Sequence, residues 1–195
     1  ENIIRPMNIE DLLTHRSGLT YDFLMGCHVA PLYSAQNISD DGSKNLKEKC
    51  EILSSLPLAY QPGTRFNYSV SLDVLARIIE VASGKDLISV LDEEILKPLD
   101  MKDTGFGVKE ENVNRLMSTY GASNFKEIMN VKPHELIETN VEEHNPYNKG
   151  DSFQRGGTGL FSTTQDYLSF ARMLLTGKSK TGEVIISRNM VNFMR

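Results

Sequence analysis

A mainly α fold with minor β is the class this sequence predicts. Two observations predict it. Apolar residues recur at helical spacing in several separate stretches, and N-cap residues and glycines bracket those stretches. The clearest stretch runs from Ser71 to Ser83. Leu72, Leu75, Ile78, Ile79 and Ala82 share one face, Ser71 and Asp73 favour the N-terminus, and Gly84 supplies the stop.

The other elements follow in chain order. Asn8 precedes Ile9-Glu10-Asp11-Leu12-Leu13, an N-cap with acid in the first turn, and Ser17-Gly18 ends that short helix. Leu19 to Ser43 reads as a loop. Leu46, Cys50, Leu53 and Leu56 then recur at helical spacing until Pro57 stops them. Asp86 begins another helix, with Leu87, Val90, Leu91 and Ile95 inward, closed before Pro98. Gly105 and Gly107 mark turns around Phe106. Residues 119 to 155 read as irregular, and a connection that long is usually functional or a lid. Gly156 to Gly159 form a tight turn. It feeds a helix capped by Thr163, with Asp166 in the capping-box position and Tyr167, Phe170, Ala171, Leu174 and Leu175 as its apolar residues, ending at Gly177. Lys178 to Ile186 read as a small hairpin around Thr181-Gly182, and Ser187 caps a last helix.

Bulk properties narrow the function. A chain of 195 residues suits one domain, and its net charge of -5 argues against a nucleic-acid surface. The densest basic group, Lys44, Lys47 and Lys49, alternates with acid and reads as a solvated helix face. Cys27 and Cys50 lack metal-type spacing, and Cys50 falls on an apolar stripe, which makes a buried free thiol the expectation. His15, His28, His134 and His144 form no ligand-type spacing, so no metal and no cofactor is expected. No apolar run is long enough to cross a bilayer. The chain starts Glu1-Asn2 without Met, which reads as processing or as a piece of something longer, and the compartment stays open.

Three short strings look catalytic. Ser123-Asn124-Phe125-Lys126 matches Ser-x-x-Lys, whose helical spacing lets an amine take a hydroxyl proton. Chance alone gives about one such match in a chain with 17 Ser and 12 Lys, so it carries no weight. Lys180-Thr181-Gly182 matches a Lys-Thr-Gly box but sits in a polar, Gly-flanked turn, where a hairpin tip is the better reading. Tyr68-Ser69-Val70 stands where a turn delivers a tyrosine to a helix mouth, a candidate proton-transfer position.

Four longer segments carry a resemblance. Leu12-Leu13-Thr14-His15-Arg16-Ser17-Gly18-Leu19 resembles the Leu-Leu-Thr-His-x-Ser-Gly-Leu segment of the serine β-lactamase-like hydrolases, a superfamily of class C β-lactamases, D,D-peptidases and family VIII carboxylesterases. Pro62 to Ser69 resembles its Pro-Gly-x-x-Phe-x-Tyr-Ser. Pro98 to Phe106 resembles its Pro-Leu-Gly-Met-x-Asp-Thr-Gly-Phe. Gly156 to Thr163 with Asp166 resembles its Gly-Gly-x-Gly-Leu-x-Ser-Thr-x-x-Asp. They occur in the family's order along nearly the whole chain. That order makes decoys of Ser123-Lys126 and Lys180-Gly182, and implies that the real nucleophile box lies before Glu1 and the third box after Arg195.

The resemblance implies a helical lobe of the β-lactamase/D,D-peptidase-like α/β serine hydrolase fold, spanning residues 1–195 as one unit without the flanking α/β lobe. It implies a parent enzyme that acts through an acyl-serine. In that enzyme Tyr68 exchanges protons as general acid/base, and Ser69 and Val70 are substrate-cleft candidates. A phenol with an ordinary pKa near 10 serves as a base near neutrality only beside cations. Thr20 to Leu24 and Tyr68 to Leu75 look most like the carboxylesterase branch. Val70, in place of the Asn of β-lactamases, favours an ester over an amide. The expected partner of the full protein is a small ester or β-lactam-like substrate, and a lobe without its mate exposes apolar surface and self-associates. A β-lactamase or D,D-peptidase piece, and a non-catalytic helical binding module, are the alternatives.

Overall fold

Helix ends fall where the cap chemistry puts them in the computed structural model, which describes residues 2–24, 26–39, 43–121, 132, 135–139, 148 and 154–194. Helix α1 (Ile9–Leu13) opens on a reciprocal capping box: the Asn8 side chain accepts from the Asp11 N–H, and the Asp11 carboxylate accepts from the Asn8 N–H. Asn45 and Glu48 repeat that device at the start of α3 (Leu46–Ser55). Helix α4 (Ser71–Ser83) ends on Gly84 in the left-handed conformation, and α6 (Thr164–Thr176) ends on Gly177 in the same way. Asp86 caps α5 (Leu87–Leu91), which widens into a π turn at Asp92–Leu96 before Pro98. A 3₁₀ turn follows at Glu110–Arg115. Ser187 caps α7 (Arg188–Phe193), and the hairpin before it closes through Lys178 and Val184.

Four expectations are corrected. The stretch from Leu19 to Ser43 is not all loop, because Ala30–Ala35 forms α2 with Ala30 and Tyr33 buried. A single turn and a half shows no periodicity, and burial of Tyr33 holds it. Within residues 119–155, β1 (Thr119–Gly121) pairs antiparallel with β2 (Ile137–Thr139). In α4 the buried side chains are Ser71, Asp73 and Ala76, while Ile79 is exposed. In α6 the Asp166 carboxylate does not return to its own cap. It accepts from the Asp103 N–H at 2.9 Å and the Thr104 hydroxyl at 2.8 Å, which ties the helix to the 103–104 turn.

The core has three centres. Leu12, Leu19, Tyr33, Ile38, Leu53 and Val70 join α1, α2, α3 and the start of α4. Leu46, Ala76, Leu87 and Phe106 join α3, α4 and α5, and Leu96, Leu99, Met101 and Met173 seat α6. The 105 and 161 segments meet in a two-bond bridge between Gly105 and Phe161. Several large apolar side chains of the C-terminal part are exposed, among them Tyr167, Leu168, Met190, Phe193 and Met194.

The N-terminal segment is fastened by one ion pair. Arg5 donates two hydrogen bonds to the buried Asp11 carboxylate, at 2.6 and 2.8 Å. Gly63 makes room for it, since a Cβ there would stand 2.0 Å from the guanidinium. These hydrogen bonds hold the Asp11 carboxyl down at about 2 against the opposing effect of burial, with the Asn8 N–H assisting. A folded-state pKa below the ordinary 3.8 gives stability that is complete above pH 4 and lost as pH falls toward 2. Urea denaturation of wild type and Asp11→Asn from pH 6 to about pH 2 should show the wild-type advantage shrinking across that window.

Candidate active site

Two segments lie side by side and place the site. The Gly18 carbonyl accepts from the Ala59 N–H, the Arg16 carbonyl from Gly63, and the His15 carbonyl from Asn67, all at 2.7 to 2.8 Å. The Asn67 side chain adds a bond to the Leu19 carbonyl at 2.8 Å. The approach is too close for a side chain at residue 18. Gly18 has φ +85°, and a Cβ would lie 2.1 Å from the Tyr60 carbonyl oxygen. His15 itself takes the left-handed conformation, with φ +52°.

This pairing sets Tyr68 at the mouth of α4 within a group of rings. Tyr68 lies 5.0 Å from His15 and 5.0 Å from Tyr21, centroid to centroid. Tyr21 stacks on Phe23 at 4.8 Å, and Phe66 meets the edge of His15 at 5.8 Å. Tyr68 keeps 47% of its surface exposed, so it is held by neighbours and still open to a ligand. Tyr21 is different. Burial, then the negative charge of Asp73, then contact with Tyr68 push its pKa far above the ordinary tyrosine value, so it stays a neutral phenol.

Beneath the rings lies a buried chain of hydroxyls. Ser69 Oγ is 2.7 Å from Ser71 Oγ, which is 2.7 Å from Ser17 Oγ, and all three serines are 0% exposed. His15 Nδ1 closes one end at 3.4 Å from Ser69 Oγ, and the Leu19 N–H closes the other.

A buried ion pair braces the site from behind. Lys49 Nζ stands 3.5 Å from Asp73 Oδ2, and both side chains are nearly sealed from water. The other Asp73 oxygen accepts from the N–H groups of Gly156 and Gly157 at 2.8 and 3.3 Å. Gly156 again permits the approach, because a Cβ would fall 1.9 Å from the Leu72 carbonyl oxygen. One carboxylate therefore joins α3, α4 and the 156–157 turn.

The placement of the expected residues divides. Tyr68 is accessible. Ser69 and Val70 are not: Ser69 is sealed in the hydroxyl chain, and Val70 is 1% exposed in the core beside Leu12, Leu53 and Tyr33. Both stand just ahead of α4, Val70 at its N-cap, and their side chains are buried. Two cavities lie elsewhere. One of about 1100 Å³ runs along residues 96–109 toward Phe161, and one of about 790 Å³ lies between Met7, Cys50 and Leu58. Cys50 is half-buried and free, its thiol pushed up to about 11 chiefly by burial. Lys180-Thr181-Gly182 is at a hairpin tip, with Gly182 at φ +93°. Ser123-Lys126, His134 and His144 lie outside the described residues, and His28 is exposed. Among the described residues no cluster of three His, Cys, Asp or Glu side chains is placed to hold a metal.

Lys49 overturns an expectation, since it is buried and paired instead of solvated. Its signal was present: Leu46, Lys49 and Leu53 share the apolar stripe of α3. His15 and Tyr21 also went unassigned. Both lie inside segments already singled out, but their contact with Tyr68 spans about fifty residues of sequence.

Residues 3–189 match the protein family described as Beta-lactamase. The chain belongs to the Beta-lactamase family. Among curated Beta-lactamase-like relatives, Protein Rv1367c of Mycobacterium tuberculosis is 34% identical over 191 residues, covering 98% of this chain and 44% of that protein. Esterase EstB of Burkholderia gladioli is 39% identical over 103 residues, covering 51% of this chain and 26% of EstB. The solved structure of simvastatin synthase (LovD) from Aspergillus terreus superposes with a TM-score of 0.70 at 24% identity, over 100% of this chain and 44% of that one, a likeness of fold. The chain thus spans less than half the length of these relatives.

Within this Beta-lactamase-family chain, the Asp73 brace sets a stability expectation. Lys49→Met leaves a charged, buried carboxylate with its backbone donors alone. Urea denaturation should show a loss of about 3 kcal/mol, and adding Asp73→Asn should cost less than the sum of the single changes.

Proposed function

We propose that this chain is the helical, tyrosine-bearing lobe of a serine hydrolase that acts through an acyl-enzyme on small esters. The observation that carries the reading is the pairing of an accessible Tyr68 with three serines that no substrate carbonyl can reach. Tyr68 has the exposure and the fixed ring environment of a proton-transfer group. Ser17, Ser69 and Ser71 are 0% exposed, so the attacking hydroxyl comes from outside this cluster. On this reading the nucleophile and its lysine come from sequence outside residues 1–195. The serine attacks the ester carbonyl, Tyr68 takes the hydroxyl proton, and it returns that proton to the departing alcohol. Water then releases the acid.

The ester preference is supported by position 70. A valine at position 70 offers no side-chain amide to pair with a substrate amide. A relative that carries the name esterase, at 39% identity over half the chain, supports the same class.

The chain of residues 1–195 should turn over neither a p-nitrophenyl ester nor nitrocefin. Turnover that Tyr68→Phe abolishes would overturn the external-nucleophile reading. In a longer protein that carries the nucleophile, Tyr68→Phe should lower kcat by about 10²- to 10⁴-fold while the thermal midpoint stays nearly unchanged.

Self-association belongs to the same reading. On this reading the exposed Tyr167, Leu168, Phe193 and Met194 are side chains that a second lobe would cover. Light scattering of residues 1–195 should detect species larger than a monomer. A strictly monomeric chain that does not aggregate would count against it.

A further inference from the structure

The hydroxyl chain beneath Tyr68 has a direction. The Leu19 N–H can only donate, and Ser17 Oγ accepts it at 3.2 Å. The remaining neighbour of Ser17 Oγ among the described residues is Ser71 Oγ, at 2.7 Å. The Ser17 proton therefore has one destination, Ser71 Oγ. The Ser71 proton passes to Ser69 Oγ by the same reasoning, and the Ser69 proton meets His15 Nδ1. The reverse order would need Ser17 to accept from both Leu19 and Ser71, and its own proton would be buried without an acceptor.

We propose that Ser17, Ser71 and Ser69 form a one-way hydroxyl chain that holds His15 as a neutral imidazole with its proton on Nε2. A nitrogen that receives a hydroxyl proton cannot carry one, and the tautomer of a histidine follows from such a bond. To protonate Nδ1, either the chain reverses and strands a buried hydroxyl proton at Ser17, or Ser69 Oγ accepts from both neighbours and its own proton is stranded. His15 also sits partly buried, and that burial lowers its pKa. Its ring meets Phe66, Tyr68 and Ser69, and Tyr68 is the titratable one of the three.

The consequence is a positioning role. His15 presents Tyr68 with a neutral ring, not with a cation. Any positive charge that favours the phenolate of Tyr68 comes from another group. This functional weight rests on reading Tyr68 as the acid/base residue; the tautomer does not, and it is measured without any assay of activity.

Long-range ¹H–¹⁵N NMR of the histidine side chains tests it, with His15 assigned by its loss in His15→Gln. The wild-type chain should show the Nε2–H tautomer at neutral pH, with a titration midpoint below the ordinary histidine value of about 6.5. Ser69→Ala removes the hydroxyl that donates to Nδ1. The His15 midpoint should then rise, and both tautomers should appear. An Nδ1–H tautomer in wild type, or a midpoint that Ser69→Ala does not move, would overturn the proposal. If that variant fails to fold, the wild-type tautomer decides alone. A correct tautomer with a catalytically silent Tyr68 would leave the chain intact and remove only the function proposed above.

Discussion

Asp73 is the constraint on which the rest of this structure depends. Its two oxygens serve two different parts of the chain: one faces the Lys49 ammonium on α3, and the other takes the amides of Gly156 and Gly157. A single charge in a dry interior is costly, and here it is offset by an opposite charge and two backbone donors. The helix that bears Asp73 also bears the mouth where Tyr68 stands. The position of that mouth relative to α3 and the 156–157 turn is thus fixed electrostatically, not by shape alone. Tyr21 feels the same carboxylate, which helps keep it a neutral neighbour of Tyr68.

The site is layered around this brace. An accessible ring lies outermost, rings that restrict it come next, and hydroxyls bonded to one another lie underneath. The layers draw on the same two stretches of sequence. The 15–19 segment gives a ring and a hydroxyl, the 66–71 segment gives two of each, and the glycines at 18 and 156 bring the backbones together. Function of the kind proposed requires a proton donor whose ring does not wander, and packing on both sides of Tyr68 supplies that restraint.

Much of this was legible in the residues. Capping chemistry is local, so Asn8, Asp86, Thr163 and Ser187 were readable as helix starts, and Gly84 and Gly177 as ends. Ordered motifs pointed to the family. The inward turn of Ser69 and Val70 was not legible, because a motif fixes order along the chain and not which side of a helix faces the core. The same limit hid Lys49. A lysine on an apolar stripe reads as an interruption until its partner, 24 residues on, is seen. Helix α2 was invisible for want of length, and the carboxylate of Asp166 was assigned to the nearest donor when a turn sixty residues away held it.

The two clamps on the 156–161 segment have a consequence for how strain travels in this chain. Gly156 is pinned to Asp73 and Phe161 to Gly105, so the segment is anchored at both ends. The short run of residues 157–160 between the anchors leaves little slack. A displacement of the carboxylate on α4 is therefore passed along this segment to the bridge at residue 105.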